Sequence, residues 1–148
     1  MKLKLLNKSK TLEFFSAETA TELPLPFAKR ISAGFPSPAE EYMEMSLDLN
    51  KELIKNPSAT FYGRVKGNSM IDAGIYEGDV LVIDKSLEPK NNKKVVCFID
   101  GEFTIKTLKV SKGEVWLIPE NKEYSPIKIT PENDFIVWGT VTYVIHKA

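Results

Sequence analysis

Asp100-Gly101 stands between two strand-length runs, Lys94–Ile99 and Phe103–Val110. It is the residue pair that most readily takes the positive φ angles of a type I′ turn, and it places Val95–Ile99 antiparallel to Phe103–Val110. Further short runs with strand character follow the same pattern of close turn signals: Thr60–Lys66, Asp79–Asp84, Val115–Ile118, Ile127–Thr130 and Phe135–His146. Nothing between them is long enough for the crossover helices that a parallel sheet needs. The fold expected is therefore mainly β, a small twisted antiparallel barrel or sandwich.

Ahead of these runs, Met43, Met45, Leu47 and Leu49 alternate with polar residues, the pattern of a half-buried strand. Asp48 is placed to cap one short helix through Leu53, Ile54 and Lys55, which has to stop near Asn56-Pro57 because a residue before proline disfavours the α region. Residues 1–33 mix charges, single hydrophobes and Pro24-Leu25-Pro26 without a pattern long enough for a core of their own. They read as an N-terminal arm, too short for a helix-turn-helix unit, on a β domain at 34–148.

Lysine plus arginine balance aspartate plus glutamate at 20 each among 148 residues, so the global field gives no reason to expect nucleic acid or an anionic membrane as partner. The apolar runs are strand-sized, far below the roughly 18 residues of a membrane span. The opening MKLKLLNKSK carries no apolar signal core, and a cytoplasmic protein is expected. Cys97 is the single cysteine and reads as a small buried hydrophobe. With one cysteine and one histidine, neither a metal nor another cofactor is expected.

The residues able to do chemistry are few. His146, the one histidine, reads as a surface strand residue, and a Ser-His-Asp triad is set aside because its base needs a third group to hold it. Glu40 and Glu41 are adjacent and on a strand would point to opposite faces. Gly74 and Gly78 lack phosphate-loop spacing. Gly67-Asn68-Ser69-Met70 is different: a glycine before the serine lets the chain turn sharply, exposing a hydroxyl beside peptide N–H groups that could stabilise an oxyanion. Alone, this signal is weak and reads better as a turn at a strand end.

Lys106 is the second candidate. By alternation it shares a strand face with Thr104, Leu108 and Val110, while Phe103, Ile105 and Lys109 point the other way. A lysine there either snorkels its ammonium to water or is desolvated. A neutral amine can activate a serine without histidine, provided its pKa falls from about 10.4 towards about 7, at roughly 4 kcal/mol of destabilised charge. Only burial achieves that, so Lys106 is expected to be buried without a carboxylate partner.

Three features then coincide. Ala33-Gly34 lies 36 positions before Ser69, and Ser69 lies 37 before Lys106. The connecting text reads FPSPAEEY, DLN, NPSATFYGRVKGNSM, GIYEGDVLVID and DGEFTIK. From about Ala33 to the C-terminal strands this resembles the UmuD branch of the LexA/UmuD self-cleaving Ser-Lys peptidases, which include SOS repressors and a translesion-polymerase accessory subunit. Two departures stand out: residues 1–31 do not align, and position 68 is asparagine where many relatives carry aspartate.

The resemblance implies Ser69 as nucleophile, Lys106 as general base, Ala33-Gly34 as the scissile bond, and Asn68 and Met70 beside the nucleophile and its oxyanion site. It also implies homodimers, cleavage stimulated by a RecA filament on single-stranded DNA, and a product, 34–148, that joins UmuC, a Y-family polymerase subunit. Direct operator binding is not implied, because the arm is no helix-turn-helix domain. Other readings are a non-enzymatic β interaction module, the peptidase domain of a phage-type repressor, and a leader-peptidase relative, the last disfavoured by the lack of an anchor.

Overall fold

The structure, a computed structural model, describes residues 3–8, 12–17, 24–28 and 43–148. Its strands are β1 (Leu3–Lys8), β2 (Leu12–Ala17), β3 (Pro24–Ala28), β4 (Met43–Asp48), β5 (Thr60–Val65), β6 (Val80–Asp84), β7 (Lys94–Ile99), β8 (Glu102–Ser111), β9 (Glu114–Ile118), β10 (Ile127–Lys128) and β11 (Phe135–Ile145). Among the described residues, nine form one antiparallel sheet in the order β1-β2-β5-β6-β11-β7-β8-β9-β10, and β3 pairs separately with β4. The mainly β architecture is the expected one.

The Asp100-Gly101 turn forms as its chemistry dictates. Its φ angles are 48° and 90°, and Ile99 pairs directly with Glu102 across it. That tight connection fixes the β7–β8 register, which sets Lys106 opposite Val95 and Thr104 opposite Cys97. One helix, α1 (Leu49–Leu53), is capped by Asp48, whose carboxylate accepts from the Asn50 N–H at 2.9 Å. The helix is shorter than expected at its end: Ile54 is already extended and turns its side chain into the core.

The sheet curls strongly. Phe14 of β2 and Phe103 of β8 are five strand positions apart, about 24 Å in a flat sheet, yet their ring centroids are 4.9 Å apart. Curling lets both faces of the central strands be buried: Ile105 and Val96 pack with Leu12, Phe14, Val65, Met70, Ile75, Leu81 and Ile83, while Val95, Cys97, Leu108 and Leu117 form a second cluster. Cys97 is buried as expected, and that burial pushes its thiol up to about 12, leaving it protonated and inert.

The N-terminal residues depart from the expected patternless arm. β2 is hydrogen-bonded to β5, with Leu12 opposite Val65 and Phe14 opposite Gly63, so part of the arm is woven into the sheet. Alternation fails to reveal it because both faces are covered: Leu12 and Phe14 enter the first core cluster, whereas Phe15 and Ala17 pack against Ile54, Tyr62 and Val82. The described side chains of β2 thus join the core of the following domain.

Candidate active site

Ser69 is positioned by the turn that leaves β5. Gly67 takes φ +83°, a left-handed conformation that side chains resist, and redirects the chain. Met70, one residue past the serine, is 1% exposed and anchors the turn in the core. Its carbonyl accepts from the N–H groups of Ala73 and Ile75, closing a single 3-10 turn over Ile71–Ala73 that Gly74 ends at φ +76°. Ser69 is thus held between a glycine hinge and a buried methionine.

A loop absent from the sequence reading clasps this turn from outside. The Asn121 side-chain amide donates to the Asn68 carbonyl at 2.8 Å, the Tyr124 hydroxyl donates to Asn68 Oδ1 at 2.9 Å, and the Asp72 N–H donates to the Glu120 carbonyl at 2.7 Å. Asn121 is 7% exposed, and its own Oδ1 accepts from the Glu123 N–H. The available sequence signal was Pro119-Glu120-Asn121, polar residues following a strand, which by themselves mark only a loop.

Lys106 approaches from β8. As alternation predicts, it shares a face with Thr104 and Leu108, and it is 7% exposed. Its Nζ lies 3.2 Å from Ser69 Oγ, 2.7 Å from Thr104 Oγ1 and 3.0 Å from the Ile105 carbonyl oxygen. Among the described residues no carboxylate pairs with it. Burial lowers its pKa; the buried Cys97 thiol nearby does little against this while it remains protonated.

The three partners suit both protonation states. As an ammonium, Lys106 donates to all three oxygens. As a neutral amine it donates to Thr104 Oγ1 and the Ile105 carbonyl and turns its lone pair to the Ser69 hydroxyl, which then donates. The geometry therefore permits proton transfer from Ser69 to Lys106 without rearranging heavy atoms. The backbone N–H groups of Ser69 and Met70 donate to no acceptor among the described residues, which leaves two donors available beside the hydroxyl.

Not every expected residue is brought to this place. Ala33-Gly34 lies outside the described residues. His146 is exposed, as expected for a surface residue, but its Nδ1 sits 2.6 Å from Oδ1 of buried Asp79, fastening the end of β11 to the turn at Tyr76–Asp79. Among the described residues no cluster of histidine, cysteine, aspartate and glutamate is arranged to hold a metal, and no helix is long and apolar enough to cross a membrane.

A curled antiparallel sheet that brings a serine turn to a buried lysine is the framework of one peptidase class, and comparison with known proteins agrees. The family model described as Peptidase S24-like matches residues 26–142. MucA of Salmonella typhimurium is 41% identical over 135 residues, covering 89% of this chain and 92% of MucA, more than residues 32–148 can supply, so part of residues 1–31 aligns with this relative, contrary to expectation. SamA of Salmonella typhimurium strain LT2 is 43% identical over 121 residues, covering 82% of this chain and 84% of SamA. The LexA repressor of Mycobacterium sp. strain KMS is 43% identical over 123 residues, which is 83% of this chain and 52% of that repressor. The chain belongs to the S24-like peptidase family, in its UmuD-like branch of self-cleaving proteins of SOS mutagenesis.

Proposed function

We propose that the chain cuts its own Ala33–Gly34 bond with a Ser69–Lys106 dyad. The supporting observation is the 3.2 Å approach of a buried, carboxylate-free Lys106 Nζ to Ser69 Oγ. Neutral Lys106 takes the hydroxyl proton as Ser69 Oγ attacks the Ala33 carbonyl. The Ser69 and Met70 N–H groups receive the oxyanion, a contribution of about 2.7–4 kcal/mol to the barrier for each donor. Lys106 passes its proton to the departing Gly34 amine, and water then releases Ala33 from the acyl-enzyme with Lys106 again as base.

On family likeness we further propose a homodimeric state, a RecA filament on single-stranded DNA as stimulus, and UmuC as the polymerase subunit joined by the 34–148 product. The test is incubation with RecA, single-stranded DNA and a nucleotide, followed by mass measurement. Loss of residues 1–33 from the wild type, with Ser69→Ala and Lys106→Ala intact, is the expected result. An unchanged wild-type chain under every condition would instead leave a non-enzymatic β module.

A further inference from the structure

Two strand pairings link residues on opposite sides of Ala33-Gly34. β2 pairs with β5 from Leu12↔Val65 to Ser16↔Phe61, and β3 pairs with β4 from Pro24↔Asp48 to Ala28↔Met43. β2 is also packed on both faces. Phe14 stacks against Phe103 and Trp138, with ring centroids 4.9 Å away in each case, and it crosses the ladder at Gly63, the one partner position without a side chain. A Cβ at Gly63 would stand 3.0 Å from Ile83 Cδ1 and 3.6 Å from Leu12 Cδ2, so the missing side chain there leaves room for Leu12 against Ile83. Glu13 adds an ion pair to Lys66 at 2.9 Å, and the Arg64 guanidinium lies 5.9 Å from the Phe15 ring centre.

We propose that the edge of β5, with the groove lined by Val65, Ile83, Phe103 and Trp138, is a strand-binding site whose occupant after processing is this chain's own 1–33 fragment. This rests on the reading that Ala33–Gly34 is the bond cut. Hydrolysis there consumes one water and leaves a carboxylate on Ala33 and an amine on Gly34. It breaks none of the β2–β5 or β3–β4 hydrogen bonds, and it uncovers neither Leu12 nor Phe14. The first product is a nicked two-piece complex, and departure of the fragment is a separate step. A competitor has to be an extended segment with apolar side chains at its first and third positions, as in Leu12-Glu13-Phe14, able to hydrogen-bond along β5.

The test makes the cut by foreign means. A recognition sequence for an unrelated protease is inserted between Ala33 and Gly34 of the full chain carrying Ser69→Ala, cut to completion, and examined by native mass spectrometry and gel filtration. Both pieces are expected to travel as one species at low micromolar concentration. Phe14→Ala is expected to weaken their association roughly 100-fold or more, the scale of losing a buried aromatic side chain. In the unmutated sequence, isotope-labelled 1–33 peptide should exchange slowly into the cut complex, and a scrambled peptide should not. Separation of the unmutated pieces, or equal retention with Phe14→Ala, overturns the proposal. Because the protein's own dyad plays no part, failure of self-cleavage and failure of fragment retention are read separately.

Discussion

The Asn121 side-chain amide donates to the Asn68 carbonyl across 2.8 Å, tying the loop after β9 to the turn that carries Ser69. The two residues are 53 positions apart, and neither Asn121 nor Tyr124 touches the Ser69–Lys106 pair in the hydrogen-bond pattern. They act through the turn. Asn121→Ala removes one of the three hydrogen bonds that clasp the turn. It is expected to cost about 1–3 kcal/mol of stability and to slow self-cleavage by up to about 100-fold, the scale of a small misplacement of a nucleophile. Tyr124→Phe, which removes only an exposed bond, should cost a few-fold at most. Thermal melting and the single-turnover rate, measured together, separate the two effects; an unaltered rate with Asn121→Ala would remove Asn121 from the positioning of Ser69.

Lys106 should write its titration into the rate. Its pKa is lowered by burial, so the neutral base becomes populated below the ordinary lysine range. The rate of RecA-independent self-cleavage is expected to rise as pH increases and to level off once Lys106 is deprotonated. Stability follows the same sign: between the lowered folded pKa and the unfolded value near 10.5 the unfolded chain binds more protons, so stability from this group rises with pH across that window. A rate independent of pH from neutrality to pH 10 would argue against Lys106 as base.

Thr104, on the same strand face, accepts from Lys106 at 2.7 Å. Thr104→Val keeps the shape and removes the oxygen. Because the ammonium loses an acceptor, the Lys106 pKa should fall further and the pH at which the rate levels off should move down. The plateau itself should also drop, by roughly 10-fold, as the amine loses a partner that aims it. A midpoint moving upward would contradict this account.

Gly139 lies where β11 passes from β7 to β6. Its ladder shifts register between Val137 and Gly139 on one side and between Val141 and Tyr143 on the other. A Cβ at 139 would come within 2.6 Å of Ile83 Cγ2. Gly139→Ala is expected to destabilise the fold by about 1–3 kcal/mol, the range for overpacking a core, readable in urea unfolding as a lower midpoint with an unchanged slope. Removing the clashing methyl with Ile83→Ala should recover part of that loss, read as a double variant less destabilised than the sum of the two single changes. No such recovery would mean that the clash is relieved elsewhere.

Much of this was legible in the residues. The Asp100-Gly101 turn forms with the expected residues and so determines which side of β8 carries Lys106; the spacing to Ser69 did the rest through family likeness. Three things were hidden for physical reasons. β2 buries both faces, so Leu12-Glu13-Phe14-Phe15 shows no clean alternation. The Glu120–Tyr124 clasp works through hydrogen bonds from one loop to the backbone and the Asn68 side chain of another, for which no residue pattern exists. Alternation puts Thr104 on the Lys106 face of the strand, but does not show that its hydroxyl accepts from the ammonium. The scissile Ala33-Gly34 bond itself lies outside the described residues, and its role rests on likeness and on the test above.

The tight turn at Asp100-Gly101 also sets a clock. A ribosome delivers Ala33-Gly34 and then Ser69 long before Lys106, and the residues that steady the serine turn, Glu120–Tyr124, come later still. If the proposed dyad is the catalyst, then until β8 has emerged and paired back on β7 the nascent chain holds the proposed cleavage bond and the Ser69 hydroxyl with no base to activate it. On that reading the chain is protected from itself until its lysine is in place, and a truncated copy ending before Lys106 would carry the bond with no means of cutting it.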